Sequence, residues 1–266
     1  MTISPLGRAF AILASTVLPA LAAYPAAAQE ASFFDGFDSL NAQRWYVSDG
    51  WSNGAHQNCA WAKGQVKATG GLLGVGFAPV PSTGRNYSCG ELQTKKSFGF
   101  GTFEARLKTP AGSGLNAAFF TYIGPTQSKP HDEIDFEILL KNTSLMETTT
   151  WVNGKSGDGE IGAGQSHELP YPSDSDFIDY AVTWSPDKLE FYVNKVLIRT
   201  IEEPAFIPKN PQRIFFSLWG SDTLTEWMGP FEPPAGPIAM QVDWVGFTAM
   251  GESCAFPESV LCAGAQ

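Results

Sequence analysis

Basic and imidazole side chains are scarce in this chain. Its 266 residues carry 17 Lys and Arg against 27 Asp and Glu, with three His, for a formal charge of −10. A surface of that sign repels phosphate backbones, which excludes nucleic acid as a partner. Cysteine is sparse too. Cys59, Cys89, Cys254 and Cys262 lack finger-like spacing, and His56, His131 and His167 are scattered, so zinc finds no ligand set. Four cysteines fit an oxidising compartment instead, and they allow three pairings. Cys59–Cys89 and Cys254–Cys262 close the shorter loops and are favoured, at about 3–4 and about 2–3 kcal/mol in the chain-entropy model. Helical periodicity is nearly absent. No apolar run beyond the N-terminal region is long enough to cross a bilayer.

Residues 1–28 read as a secretory signal peptide. Arg8 gives the positive start, Ala9 to Leu18 the short apolar core, and Ala26-Ala27-Ala28 before Gln29 the cleavage pattern. Cleavage removes one Arg and no acid, leaving a chain near −11. The expected product is one secreted domain over residues 29–266, extracellular or periplasmic, monomeric, with no membrane contact. Short β-rich runs alternate with Gly, Pro, Asn and Ser clusters across it. Phe98 to Lys108, Asn116 to Ile123, Asp132 to Leu140, Leu145 to Val152, Ile178 to Trp184, Leu189 to Val193, Val196 to Ile201, Arg213 to Trp219 and Ile238 to Ala249 read as strands. Asn194-Lys195 reads as a tight hairpin turn. The fold class expected is all-β, a sandwich or jelly roll.

Glu133-Ile134-Asp135-Phe136-Glu137 is the most informative stretch. On a strand the three acids share one face, and Ile134 and Phe136 share the other. Burial of the apolar face would fix the register and hold the acids rigidly. Crowded carboxylates raise one another's pKa, an arrangement suited to acid–base work on a glycosidic bond. The i to i+4 span is about 13 Å at Cα on a straight strand, so Glu133 and Glu137 must reach toward each other on a bent one. We assign Glu133 as nucleophile, Asp135 as its assistant and Glu137 as acid/base. A calcium site or a solvated strand face are the competing readings. Calcium loops, however, place their ligands in turns. Of the tryptophans, Trp184 reads as core, while Trp219 and Trp227 flank Gly220 to Thr223 and read as sugar-stacking platforms.

His131-Asp132-Glu133-Ile134-Asp135-Phe136-Glu137-Ile138-Leu139 resembles the signature of glycoside hydrolase family 16, whose members are retaining endo-β-glycanases on a concanavalin-like β-jelly roll with a concave substrate cleft. Asp49 to Gly54, Asn58 to Trp61, Cys89 to Glu91, Phe119 to Pro125, Leu218-Trp219 and Glu226 to Gly229 are similar to its bacterial lichenases, and most of all to endo-1,3-1,4-β-glycanases that trim succinoglycan. The uninterrupted Glu-x-Asp-x-Glu matches that branch. The resemblance implies the roles given above, supports the Cys59–Cys89 pairing, and places Asn53, Glu91, Phe120, Trp151, Trp219 and Trp227 on the sugar. It implies no cofactor for catalysis and a structural calcium on the backbone oxygens of Gly36 and Gly71 and on Asp243. Gln93, His131, Thr149 and Trp151 stand where lichenases carry Arg, Trp, Asn and Tyr, and the resemblance implies that these positions too line the cleft and meet the sugar. The expected partner is therefore a polysaccharide, with a bacterial exopolysaccharide favoured over cereal glucan. A glycan-binding module without catalysis, or a transglycosylase using the same residues, are the alternatives.

Overall fold

The computed structural model describes Met1 and residues 31–157 and 164–262. Apart from Met1, the leader expected over residues 1–28 lies outside the described residues. Among the described residues seventeen strands form a curled β-jelly roll of two layers, antiparallel but for the Cys59–Trp61 and Tyr87–Thr94 pair. The site layer runs, in spatial order, Trp45–Val47, Tyr87–Thr94, Arg213–Gly220, Leu115–Ile123, Asp132–Leu139 and Leu145–Val152. The supporting layer runs Val196–Ile201, Leu189–Val193, Ile178–Trp184, Gly101–Lys108 and Ile238–Ala249. Phe33–Asp35 and Leu72–Ala78 both flank that last strand.

Period-two alternation explains the inner strands of the site layer. In Arg213–Gly220, Ile214, Phe216 and Leu218 are fully buried in the core, while Arg213, Phe215, Ser217 and Trp219 line the opposite face. In Leu115–Ile123, Phe119 enters the core, and Ala118, Phe120 and Tyr122 face the other way. The core between the layers is aromatic. Phe136 lies 5.8 Å from Phe119, 5.7 Å from Tyr180 and 5.4 Å from Phe191, ring centroid to ring centroid. Trp184 is core, as expected, and donates its indole N–H to the Pro208 carbonyl at 3.0 Å.

The later strands stand close to their expected bounds. Asn194 and Lys195 take φ of 46° and 65°, the left-handed pair that a two-residue hairpin turn requires. The strand expected from Phe98 begins at Gly101, and Phe98 makes only an isolated bridge to Gln212. Gly101 marks a close approach: a Cβ there would sit 2.4 Å from the Thr248 carbonyl oxygen. Both expected disulfides are present, Cys59–Cys89 across 30 residues and Cys254–Cys262 across 8.

Truncating Phe136 to Ala should cost about 3–5 kcal/mol of stability, since a large ring in a filled core has no replacement. Urea denaturation measures this. A loss under about 1 kcal/mol would show that the acid strand is held in register by something else.

Candidate active site

Asp132–Leu139 is an inner strand of the site layer, with Leu115–Ile123 on one side and Leu145–Val152 on the other. Its N-terminal end is pinned from behind. Buried Asp132 accepts the Asn153 backbone N–H at 3.0 Å, the Lys209 and Asn210 backbone N–H groups at 3.2 Å each, and the Asn210 side-chain amide at 2.8 Å. Ile134 and Phe136 are each 1% exposed on the core side. Glu133, Asp135 and Glu137 therefore all point into one cleft of about 1320 Å³.

Register sets their neighbours. Glu133 lies between Tyr122 and Trp151, Asp135 between Phe120 and Thr149, and Glu137 between Ala118 and Glu147. One strand further, Arg213 sits beside Tyr122, Phe215 beside Phe120 and Ser217 beside Ala118. The next strand brings Gln93 beside Phe215 and Glu91 beside Ser217. Gly124 backs this wall: a Cβ there would fall 1.9 Å from the Tyr122 hydroxyl, so a side chain would push Tyr122 out of place.

The three acids differ in environment. Glu137 is pushed up to about 8, first by burial and then by the charges of Glu133 and Glu147. The Asn116 side-chain amide donates to Glu137 Oε1 at 3.0 Å and opposes that rise. Asp135 is raised well above the ordinary carboxylate range, by burial first and by Glu133 and Glu137 next. A hydrogen bond with Glu133 also favours the protonated form of Asp135. Glu133 also meets His131 Nε2 at 2.5 Å, and the His131 ring stacks on Trp151 at 5.2 Å. Glu91 is raised to about 7 by burial, against hydrogen bonds from Ser48 and Gln93. Such a set can present an attacking carboxylate beside a carboxyl that still holds its proton.

All nine residues expected to touch sugar line this cleft: Asn53, Glu91, Gln93, Phe120, His131, Thr149, Trp151, Trp219 and Trp227. Trp219 and Trp227 lie 6.3 Å apart, and Trp227 Nε1 donates to Glu147 Oε2 at 2.9 Å. Sequence reasoning missed Tyr46, Tyr122, Glu147, Arg213 and Phe215, which also line it. Tyr122 shares parity with Phe120, so alternation carried a signal for it. Glu147 and Arg213 join only through pairing between strands distant in sequence.

The expected metal residues lie outside the cleft lining. A Cβ on Gly71 would lie 3.8 Å from the Gly36 carbonyl oxygen and 3.9 Å from Asp38 Oδ1, so these oxygens are neighbours of the kind a hard cation takes. Asp243 Oδ2 forms an ion pair with Arg106 Nε at 3.3 Å, and Asp179 shares that guanidinium at 3.1 Å. Among the described residues no group of three or more His, Cys, Asp or Glu could hold a metal.

Known proteins agree with this geometry. The chain is 51% identical over 231 residues to the endo-1,3-1,4-beta-glycanase ExoK of Rhizobium meliloti (strain 1021), covering 87% of this chain and 84% of that one. It is 33% identical over 218 residues to a beta-glucanase of Bacillus subtilis (strain 168), covering 82% and 86%. The solved Bacillus licheniformis beta-glucanase superposes with a TM-score of 0.76 at 30% identity, over 82% of this chain and 98% of that one. A lichenase derived from a mouse hindgut metagenome gives 0.77 at 28% identity, over 83% and 100%. A family profile described as glycosyl hydrolases family 16 matches residues 53–246. The chain belongs to that family, and it is a glycoside hydrolase.

Proposed function

We propose that the protein is a secreted, retaining endo-1,3-1,4-β-glycanase that cuts internal β-glucosidic bonds of a bacterial exopolysaccharide of the succinoglycan type. One observation carries the chemistry: a carboxyl raised to about 8 shares a strand face and a long cleft with Glu133. The likeness to a relative named for endo-1,3-1,4-β-glycanase activity supports the bond type.

In the first half-reaction a Glu133 oxygen attacks the anomeric carbon, and Glu137 gives its proton to the departing glycosidic oxygen. A glycosyl ester of Glu133 results. In the second, the Glu137 carboxylate takes a proton from water, the water oxygen bonds to the anomeric carbon, and the Glu133 ester bond breaks. Asp135 keeps a proton on the shared hydrogen bond and steadies Glu133 as it regains its charge. No cofactor enters these steps. A structural calcium on Gly36, Gly71 and Asp243 belongs to the same reading, and requires Asp243 to turn from Arg106 to the metal.

Reducing-end release from lichenan, curdlan, xyloglucan and succinoglycan tests the polymer, with succinoglycan expected to be cut best. Glu133→Gln should abolish turnover and keep the fold, and a variant with normal activity would end the mechanism. In the pH profile, kcat/KM should fall as pH rises through about 8, where free Glu137 loses its proton. The Asn116 amide favours the ionised form, so Asn116→Ala should move that limb to higher pH; a shift to lower pH would exclude Glu137 as the proton donor. A chelator should lower Tm and leave kcat unchanged, and Asp243→Ala should remove that response. If Tm does not move, Asp243 serves Arg106 alone.

A further inference from the structure

The cleft is lined by five carboxyl side chains, Glu91, Glu133, Asp135, Glu137 and Glu147, and by one Lys or Arg among its described residues, Arg213. Two other arginines of the fold are matched to acids: Arg44 pairs with Asp35 at 2.7 Å, and Arg106 with both Asp179 and Asp243, whereas Arg85 donates to Ser52 and to the Gly54 carbonyl, and Arg199 to Thr148, all outside the cleft lining. Arg213 has no such match among the described residues. Its Nη1 donates to Oε1 of Gln93, a neutral acceptor, at 2.9 Å. Its Nε is buried and reaches no acceptor among the described residues. A guanidinium carries five N–H donors in a planar fork, and desolvating one without an anion is unfavourable. The fork here is held by Gln93 and left open to the cleft.

Register places it usefully. Arg213 stands in the same cross-strand row as Tyr122, Glu133 and Trp151. Two strand spacings separate it from Glu133, about 10 Å. That is beyond ion-pair reach of the nucleophile, and near enough to meet a group hanging from a sugar beside the bond being cut. The Gln93 amide presents its oxygen to Arg213 and its nitrogen toward Ser48, which donates to buried Glu91. Gln93 therefore orients the fork without neutralising it.

Resting on the glycan-cleft reading above and deepening it, we propose that Arg213, oriented by Gln93, is a specificity-determining residue that receives a carboxylate carried by the glycan, whether a uronate or an acid-bearing substituent. The chain's net charge of −10 does not oppose this, because burial favours the protonated form at Glu91, Asp135 and Glu137 and so makes the cleft less negative than its carboxyl count.

Three polymers with one backbone provide the test: lichenan, lichenan oxidised at C6 to the uronate, and lichenan bearing succinate half-esters. kcat/KM is measured for the wild type, Arg213→Gln and Arg213→Lys, and binding is measured on the Glu133→Gln protein with and without Arg213→Gln. The wild type should favour one carboxylated polymer over lichenan by about tenfold, an advantage that added salt reduces. Which one it favours identifies the source of the carboxylate. Arg213→Gln should lose the preference in both turnover and binding. Arg213→Lys should keep part of it, having the charge without the fork. An equal loss on all three polymers would overturn the proposal and reduce Arg213 to a prop for Gln93. No wild-type preference in turnover or binding would also overturn it. If the preference holds but succinoglycan is not cut, only the polymer assignment fails; if succinoglycan is cut without any preference, only Arg213 does.

Discussion

Burial of Phe136 between Phe119, Tyr180 and Phe191 is the contact on which the site depends. A strand slipped by one residue would put the acids in the core and the ring in the cleft. The alternative costs the transfer of a large ring and the desolvation of three carboxyls together, so the register has one answer. Everything the cleft displays follows from that choice, carried sideways by backbone pairing to Trp151 on one flank and to Tyr122 and Arg213 on the other. The Asp132 carboxylate adds an end-stop, collecting donors from two loops at the strand's beginning.

Electrostatics in the cleft differ from what a row of acids alone suggests. Repulsion between neighbours is present, but removal of water is the larger cause at Glu91, Asp135 and Glu137. The distinction has a thermodynamic side. Glu91 and Glu137 have folded pKa values above their unfolded ones, so the stability they support is complete below about 4.5 and declines as pH rises toward 7 and 8. The site is therefore least comfortable for the fold where Glu137 begins to lose the proton that the proposed mechanism asks of it.

Much of this was legible in the sequence. The acid triplet, the cleft-lining Trp219 and Trp227 and the Asn194-Lys195 turn are local signals, each readable within a few residues. The first six strands were not assigned. Phe33–Asp35, Trp45–Val47 and Cys59–Trp61 have three residues each, too few to show a period, and Gly74, Gly76 and Gly90 interrupt Leu72–Ala78 and Tyr87–Thr94. Glu147 and Arg213 were invisible for another reason. Each sits on its own strand as an ordinary polar residue, and only long-range pairing brings it to the acids. The exchange at Gln93 also needed three dimensions: the guanidinium lies one strand over, on Arg213, bonded to that same Gln93.

Tyr87–Thr94 belongs to both layers. Its first half pairs with Cys59–Trp61 and Leu72–Ala78, and its second half with Trp45–Val47 and Arg213–Gly220. At that corner the backbone has neighbours on both sides. Open sheet edges are where one chain can recruit another into a growing ladder. By turning a corner instead of ending, this strand removes one such template, and the Cys59–Cys89 bond within the same pairing keeps the corner from peeling open. The device that closes the sandwich thus also leaves one strand fewer on which a second chain could pair.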